Sequence, residues 1–337
     1  MRHEYPSRAL ISGGAPAGGL SSFAEGLRAG FQAFGIPAEV VAPGRIFRRW
    51  RDLRDPDVLK ILSTSAVFTA PFARRSICVA HGFPRADVHG WIRLVGIVLS
   101  LKLANRFSQL TTVSHYSAVH LQTVFDLRVD AVIHNPLHAL FQDAAAEAPP
   151  RDCITYVGRL HPVKRLDRIF PAICSLVDET PGLRACIIGD GPLRGALEAE
   201  ARGNPRVQFT GPLPAAEVRA WLRRSKVFVS GCETEALGIA YLEALSQGCV
   251  VAMPACGGGL EIAPEEIGRS IRLLPLPLDH GAVLNALRSA LSAHGSQQTL
   301  AAYEAAAIAM RYLEVDHRLS SRPGVTACSA PLHGGSE

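Results

Sequence analysis

Short, continuously apolar segments alternate with longer amphipathic segments along most of the chain, and this alternation restricts the possible folds more than any other feature. Strands covered on both faces are continuously apolar, and repeated strand–helix units favour parallel, doubly wound sheets. The predicted strands are Ala9–Ser12, Ala38–Ala42, Ala66–Thr69, Ile77–Ala80, Leu110–Ser114, Ala131–Ile133, Ile154–Val157, Ala185–Ile188, Val207–Thr210, Val227–Ser230, Val250–Met253 and Ser270–Leu273. The predicted helices between them include Leu20–Phe34, Ser117–Phe125, Lys164–Asp178 and Leu237–Gln247.

The repeat is interrupted at the Ala- and Pro-rich segment 143–152, and a chain of 337 residues is long enough for two α/β domains. We therefore predict an N-terminal Rossmann-like domain over 1–148 and a second over 149–319. The Ser-, Gly- and Pro-rich segment 320–337 is predicted to be a disordered tail. Ligands of such sheets bind at the carboxyl ends of the strands, so the expected site is the cleft between the domains.

Composition and charge exclude several classes of protein. The eight cysteines include no C-x-x-C pair, which favours reduced thiols over a disulfide framework or a zinc site. No signal peptide is recognised, and no apolar segment approaches the roughly 20 residues of a membrane span, so a cytoplasmic protein is expected. The net charge of +5 arises in residues 1–150, which hold 16 Lys and Arg against 11 Asp and Glu. This charge alone does not indicate a nucleic-acid partner, and none is predicted.

Two cations follow the predicted strand Ile154–Val157 in the segment Gly158-Arg159-Leu160-His161-Pro162-Val163-Lys164. A guanidinium and an ammonium at one strand end suit a diphosphate. Basic residues in a loop are more often simply solvated, so this segment alone does not decide between a site and a surface loop.

Two glutamates flank a predicted helix start, Glu235 at its N-terminal edge and Glu243 two turns later. Eight helical positions span about 12 Å, too far for two carboxylates to act on one glycosidic bond. The spacing suits contacts with two distant parts of an extended ligand, whose phosphates would meet the free N–H groups around Leu237 and Gly238. Each glutamate alone could equally be surface charge.

Glycine-rich turns follow other predicted strands, at Gly18-Gly19 and at Gly189-Asp190-Gly191. Glycine allows the backbone to approach a phosphate closely, but a tight packing turn is about equally expected.

Taken in order, these motifs resemble the retaining glycosyltransferases of family 4, which have the GT-B fold. The resemblance is strongest across Ile154–Leu273, through the Gly-Arg-Leu…Lys, Gly-Asp-Gly-Pro, Glu–seven residues–Glu and Gly-Gly…Glu motifs. It is looser in the first half, through 18–20, 79–83, 112–114 and 133–136. The implied fold is α/β: two doubly wound parallel sheets facing across a cleft. Leu237 departs from the phenylalanine usual in the family.

The resemblance also implies roles for individual residues. Arg159 and Lys164 would hold the diphosphate of a nucleotide sugar, and Glu235 would bind the donor sugar near the developing oxocarbenium ion. Glu243 would bind the ribose hydroxyls, and His81 would approach the donor sugar from the first domain. The other implied donor contacts are Gly18, Gly19, Gly158, Gly189, Leu237 and Gly238. Neither a metal nor a cofactor is implied beyond the nucleotide-diphosphate sugar co-substrate, and the acceptor would be a saccharide or a lipid-linked molecule in envelope, exopolysaccharide or glycolipid assembly.

Two segments of the first half combine cations with apolar side chains, Arg45–Arg51 and Trp91–Phe107. Either could contact an anionic membrane, and Arg45–Arg51 is the predicted site of peripheral contact with the inner membrane. The other interpretation is a solvated basic loop and an ordinary buried helix.

Three other functions remain open from the residues. A GT-B sugar-nucleotide epimerase would need acid–base groups around the sugar, and none is identified. A non-catalytic subunit that binds a nucleotide sugar would not need the complete set Arg159, Lys164, Glu235 and Glu243. A dinucleotide oxidoreductase would need a strict glycine fingerprint followed by an acidic residue about 20 positions later, and the fingerprint is missing.

Overall fold

The computed structural model describes residues 5–13, 19–142, 149–295 and 300–320. Its strands form two six-stranded sheets in which every pairing between named strands is parallel. The first sheet has the order β2-β1-β3-β4-β5-β6 and the second β12-β11-β10-β7-β8-β9. The strands are β1 Arg8–Ser12, β2 Ala38–Val41, β3 Val58–Ser63, β4 Ser76–Ala80, β5 Gln109–Thr112, β6 Ala131–Val132, β7 Cys153–Val157, β8 Arg184–Ile188, β9 Val207–Gly211, β10 Ser225–Val229, β11 Val250–Pro254 and β12 Ile271–Leu274.

Helices cover the sheets, as expected for strands that are apolar on both faces. They are α1 Gly19–Ala33, α2 Trp50–Arg54, α3 Ala86–His89, α4 Trp91–Phe107, α5 His115–Thr123, α6 Leu166–Glu179, α7 Arg194–Glu200, α8 Ala215–Arg224, α9 Ile239–Ser246, α10 His280–Ser292 and α11 Ala305–Ser320. Two long 3₁₀ segments, Pro43–Arg49 and Thr64–Phe72, lie in the first domain.

One predicted strand is wrong. The apolar run Ala66–Thr69 is part of a 3₁₀ segment, and the strand is instead β3, Val58–Ser63. A lysine in the middle of β3 disguises it: Lys60 is fully buried, and its ammonium group donates to the backbone carbonyls of Asp55 and Arg74. Those hydrogen bonds allow a charged residue type inside a strand whose other members are apolar or small.

The last helix returns to the first domain. Although α11 lies in the residues that the sequence assigns to the second domain, it packs against α1, with the rings of Tyr312 and Phe23 centred 6.4 Å apart. Asp316 is buried and accepts hydrogen bonds from the Arg75 guanidinium, the shortest 2.7 Å long. The predicted boundary at 148/149 adjoins 143–148, which lie outside the described residues, as does the predicted tail apart from Ser320.

The two domains share one apolar core. A single cluster of buried side chains contains Ile11 and Phe23 from the first domain with Leu237 and Tyr241 from the second. Among the described residues no helix is both long and apolar enough to cross a membrane. The seven described cysteines are all free, and burial raises the pKa of the Cys78 thiol to about 12.

Candidate active site

The predicted cation Lys164 and the predicted acid Glu235 form an ion pair. The Lys164 Nζ lies 2.6 Å from Oε2 of Glu235, 71 positions further along the chain. They meet because β7 and β10 are neighbours in the sheet, so the loops at their carboxyl ends lie side by side. Burial alone would lower the pKa of Lys164, but the Glu235 carboxylate outweighs it and holds that pKa above its usual value.

Lys164 is positioned by a short capped turn. The 3₁₀ segment Pro162–Lys164 begins after His161, whose Nδ1 accepts a hydrogen bond of 3.3 Å from the amide of Val163. Arg165 follows in the left-handed region, at φ 51°, and α6 starts after it. The ammonium group therefore projects from a fixed turn at the strand end.

The loop of Arg159 is held mainly by backbone contacts. The Leu160 amide donates to the carbonyl of Asp190 over 2.8 Å, and the Tyr156 hydroxyl donates to the carbonyl of Arg159 over 2.9 Å. A Cβ at Gly189 would lie 1.9 Å from the carbonyl oxygen of Gly158, so Gly189 is needed for this packing. The Arg159 side chain is exposed, and its charge acts on Lys164 in the direction that lowers the lysine pKa.

The second glutamate lies inside the fold. The helix predicted from Leu237 begins two residues later as α9, because Gly238 precedes it at φ 91° in the left-handed region. Glu235 therefore lies in the turn before α9. The Leu237 side chain is buried in the shared core, and burial raises the pKa of Glu243 to about 8. No described residue donates a hydrogen bond to the Glu243 carboxyl group.

The first domain places His81 at the end of β4. Its ring packs edge-on against Phe23, with centroids 4.4 Å apart, and burial lowers the pKa of His81 to about 4. Its Nε2 is buried and has no hydrogen-bond partner among the described residues. A Cβ on the next residue, Gly82, would lie 3.5 Å from the Ala236 Cβ, so the loop after β4 lies against the loop that carries Glu235.

Two residues join the domains here: Arg85, which sequence reasoning missed, and Glu261, which it noted only as the glutamate of the Gly-Gly…Glu motif. Arg85, four positions after His81, donates through Nη1 to the Thr234 hydroxyl, and it also pairs with Asp87. The sequence did offer one signal for Arg85: it lies in the loop that follows β4 and contains the candidate residue His81. Glu261 accepts hydrogen bonds of 2.8 and 2.7 Å from the amides of His115 and Tyr116, the first residues of α5 in the other domain.

Of the remaining predicted donor contacts, Gly19 is the first residue of α1, and Gly18 lies outside the described residues. Lys164 and Glu235 are brought into direct contact, and Arg159 and Gly158 lie on the adjoining loop. His81 lies on the loop of the first domain that adjoins the loop of Glu235 through Gly82 and Ala236. Gly238 directly precedes α9, and Glu243 lies in the middle of that helix.

A family model matches the second half of the chain, and two relatives match 35% and 39% of the chain. Residues 151–292 match a family model described as Glycosyl transferases group 1. The sulfoquinovosyl transferase SQD2 of Arabidopsis thaliana is 36% identical over 118 residues, which are 35% of this chain and 22% of the relative. A GDP-mannose-dependent alpha-(1-6)-phosphatidylinositol dimannoside mannosyltransferase of Mycobacterium tuberculosis is 31% identical over 133 residues, 39% of this chain and 35% of that protein. The chain thus spans about a fifth to a third of the length of these relatives.

Solved structures match over both domains. HepE of Anabaena, crystallised with UDP and glucose, has a TM-score of 0.66 at 16% identity and covers 94% of this chain and 100% of its own. A sucrose-phosphate synthase from Thermosynechococcus elongatus has a TM-score of 0.64 at 16% identity and covers 94% and 97%. The predicted fold class is therefore confirmed: the chain has the GT-B fold, and its second domain is similar in sequence to the group 1 glycosyl transferases.

Proposed function

We propose that the chain is a retaining, metal-independent glycosyltransferase that moves a sugar from a nucleotide-diphosphate sugar to a hydroxyl acceptor. The observation that carries the proposal is the Lys164–Glu235 pair, which lies in the cleft of a GT-B fold opposite the loop of His81. The group 1 glycosyl transferase match covers the segment that supplies the pair, and HepE was crystallised with UDP and glucose.

The leaving nucleotide diphosphate carries most of the charge that develops during transfer. In the proposal, Arg159 and Lys164 stabilise this charge together with the free N–H groups that precede α9. Two cations and a helix N-terminus would do the work that a divalent metal does elsewhere.

The donor sugar and the nucleoside would meet the other groups. Glu235 would accept hydrogen bonds from the sugar hydroxyls and lie near the developing oxocarbenium ion, already oriented by its contact with Lys164. His81 is uncharged above a pH of about 4, so its unpartnered Nε2 can offer the sugar a neutral hydrogen bond. Glu243, whose pKa lies at about 8, would meet the ribose hydroxyls. The acceptor hydroxyl would attack from the face that the diphosphate leaves, which retains the anomeric configuration.

The acceptor is proposed to be a saccharide or a lipid-linked molecule of envelope, exopolysaccharide or glycolipid assembly. The name of the mycobacterial relative includes phosphatidylinositol dimannoside, a molecule that joins a lipid to sugars. The predicted contact of Arg45–Arg51 with the inner face of an anionic membrane would bring the enzyme to such an acceptor, but it does not depend on the transferase assignment.

Nucleotide binding and turnover test the assignment separately. UDP, GDP, UDP-glucose and GDP-mannose are screened by thermal shift, since a ligand that binds the folded state raises the melting temperature. Labelled donor is then incubated with saccharide and lipid extracts. Lys164→Met and Glu235→Gln are expected to lower transfer by about 10²–10³-fold without loss of fold. Lys226→Met and Glu265→Gln, which make the same changes away from the cleft, should leave transfer unchanged.

Four results would contradict the proposal in whole or in part. Near-native transfer by both site variants would remove the site assignment. Release of an altered, free sugar nucleotide would indicate an epimerase, and nucleotide binding without turnover would indicate a non-catalytic subunit. An inverted anomeric configuration in the product, read by NMR, would remove the retaining mechanism alone.

A further inference from the structure

One layer of the first domain has an unusual outer surface. Four segments lie over the same face of the first sheet: Pro43–Arg49, α2, Thr64–Phe72 and α4. Their inward side chains join one core cluster with alternate residues of the strands. The members from the four segments are Ile46, Leu53, Ala66, Val67, Ala70, Leu101 and Ala104, and those from the strands include Leu10, Leu62, Cys78 and Leu110. The outward side chains of the four segments therefore share one side of the molecule, here called the basic-apolar face.

Helix α4 is apolar on both of its sides. Its inward side chains, such as Leu101, join the core, yet its outward residues are also apolar. Trp91 is 74% exposed, Ile92 91% and Leu99 62%. Val95, Leu99 and Leu103 are also exposed, and because they are four positions apart they lie on one side of the helix. A helix facing water would normally place polar residues there.

Aromatic rings continue this exposed surface beside α4. Phe47, Trp50, Phe68 and Phe72 are each about 40% exposed or more. The Phe47 ring lies 6.1 Å from that of Trp50 and 5.7 Å from that of Phe68, measured between centroids. Phe68 and Phe72 belong to the 3₁₀ segment that packs against α4, so this aromatic cluster adjoins the apolar side of that helix. Contiguous exposed apolar surface of this kind marks an interaction site.

The charge on the same segments is almost entirely positive. Residues 43–54 and 91–107 hold eight Arg and Lys and a single acidic residue, Asp52. Arg49 is paired with Asp52 and Glu39, whereas Arg45, Arg48 and Arg51 are without an ion pair among the described residues. Lys102 has a carboxylate within 4 Å, that of Asp126 from outside the segments. Exposed apolar side chains next to arginines without an ion pair are complementary to a partner that has an anionic outer layer and an apolar interior.

We infer that the basic-apolar face docks on an anionic lipid bilayer, with the outward side of α4 and the aromatic cluster entering the headgroup region. Arginines attract the anionic headgroups, while the apolar side chains gain by leaving water. The exposed N-terminal end of α4 follows within ten residues of His81, so docking would bring the cleft to a membrane-anchored acceptor. This last step rests on the proposed function, whereas the docking itself does not.

Vesicle co-sedimentation tests the docking. The full chain should bind vesicles of phosphatidylcholine with phosphatidylglycerol at low salt, bind pure phosphatidylcholine far more weakly, and be released as salt increases. Replacing Arg45, Arg48 and Arg51 together by Glu should lower partitioning by about a hundredfold or more. The double change Ile92→Glu and Leu99→Glu should lower it by about tenfold or more. The matched controls Arg184→Glu and Ile267→Glu, on the second domain, should bind as the unchanged chain does.

The outcomes separate the docking from the proposed function. Absence of binding to anionic vesicles, or equal binding by both sets of variants and the controls, overturns the docking. A dimer that the α4 variants dissociate, detected by light scattering, would assign the face to a second copy and also overturn it. UDP binding is followed in the same samples by thermal shift. Vesicle binding without UDP binding would contradict the proposed function and leave the docking supported. UDP binding without vesicle binding would contradict the docking and leave the proposed function supported. Because all substituted side chains are exposed, melting temperatures near that of the unchanged chain are expected.

Discussion

Burial keeps two of the candidate donor contacts in their uncharged forms. His81 has a pKa of about 4, and Glu243 one of about 8, each displaced mainly by removal from water. Burial would likewise lower the pKa of Lys164, but the adjacent Glu235 carboxylate raises it above its usual value. The sequence alone could not predict which of these side chains are uncharged and which form an ion pair. It shows that a glutamate is present, but not which groups surround it in the fold.

A prediction at Glu243 follows from its raised pKa. The folded state retains the proton while the unfolded state loses it, so the free energy of unfolding falls as pH rises from about 4.5 to about 8. Glu243→Gln removes this loss and should be more stable than the unchanged chain at pH 8, by on the order of 1–4 kcal/mol, with the difference vanishing near pH 4.5. Denaturant unfolding across this range measures it. Glu265→Gln, on an exposed glutamate, is the control, and a difference that does not change with pH would contradict the prediction.

At the scale of the element, continuous apolar runs predicted eleven of the twelve strands, because a strand covered on both faces can hardly contain anything else. The exception is β3, where Lys60 interrupts the run and hydrogen bonds from its ammonium group hold it in the core. Helix starts were less accurate: α9 begins after the left-handed Gly238, which the apolar pattern does not reveal. The prediction of Gly189 as a donor contact remains untested, and the structure gives this residue a packing role as well.

That packing role predicts the effect of a single methyl group. In Gly189→Ala the new Cβ would lie 1.9 Å from the carbonyl oxygen of Gly158, and the residue has a φ of 130°. The loop of Arg159 must then move, so we expect a loss of about 2 kcal/mol or more in unfolding free energy and weaker binding of UDP. Gly195→Ala in α7, where nothing lies within 4 Å, should instead gain up to about 1 kcal/mol. Equal melting temperatures for the two variants would contradict this account.

At the scale of the whole molecule, the candidate site depends on contacts between residues far apart in sequence. Lys164 and Glu235 lie 71 positions apart, and Arg85 and Thr234 lie 149 apart. The order of the strands brings the first pair together, and the seating of one domain on the other brings the second. Sequence motifs could predict that the loops after the strands lie at one edge of the sheet, because the carboxyl ends of parallel strands point to the same edge. They could not predict Arg85 or the partners of Glu261, because nothing local in the sequence records how the domains meet.

The contact of Glu261 with α5 should therefore stabilise the arrangement of the domains. Its carboxylate accepts hydrogen bonds from the amides of His115 and Tyr116, and the His134 Nε2 lies 3.7 Å from its Oε2. Burial would raise the pKa of Glu261, but these neighbours together lower it. Glu261→Ala should lower the unfolding free energy by about 1–2 kcal/mol at neutral pH and widen the distribution of shapes seen by small-angle X-ray scattering.

Protonation of the Glu261 carboxylate should lower the free energy of unfolding as the Glu261→Ala substitution does. Because the folded-state pKa is lowered, the stabilisation is complete above the ordinary range of a glutamate and is lost as pH falls through that lowered pKa. The two chains should thus converge in stability in acid, while Glu265→Ala, four residues away and exposed, should follow the unchanged chain at every pH. If Glu261→Ala and Glu265→Ala had the same stability and the same scattering profile at neutral pH, Glu261 would have no part in holding the domains together.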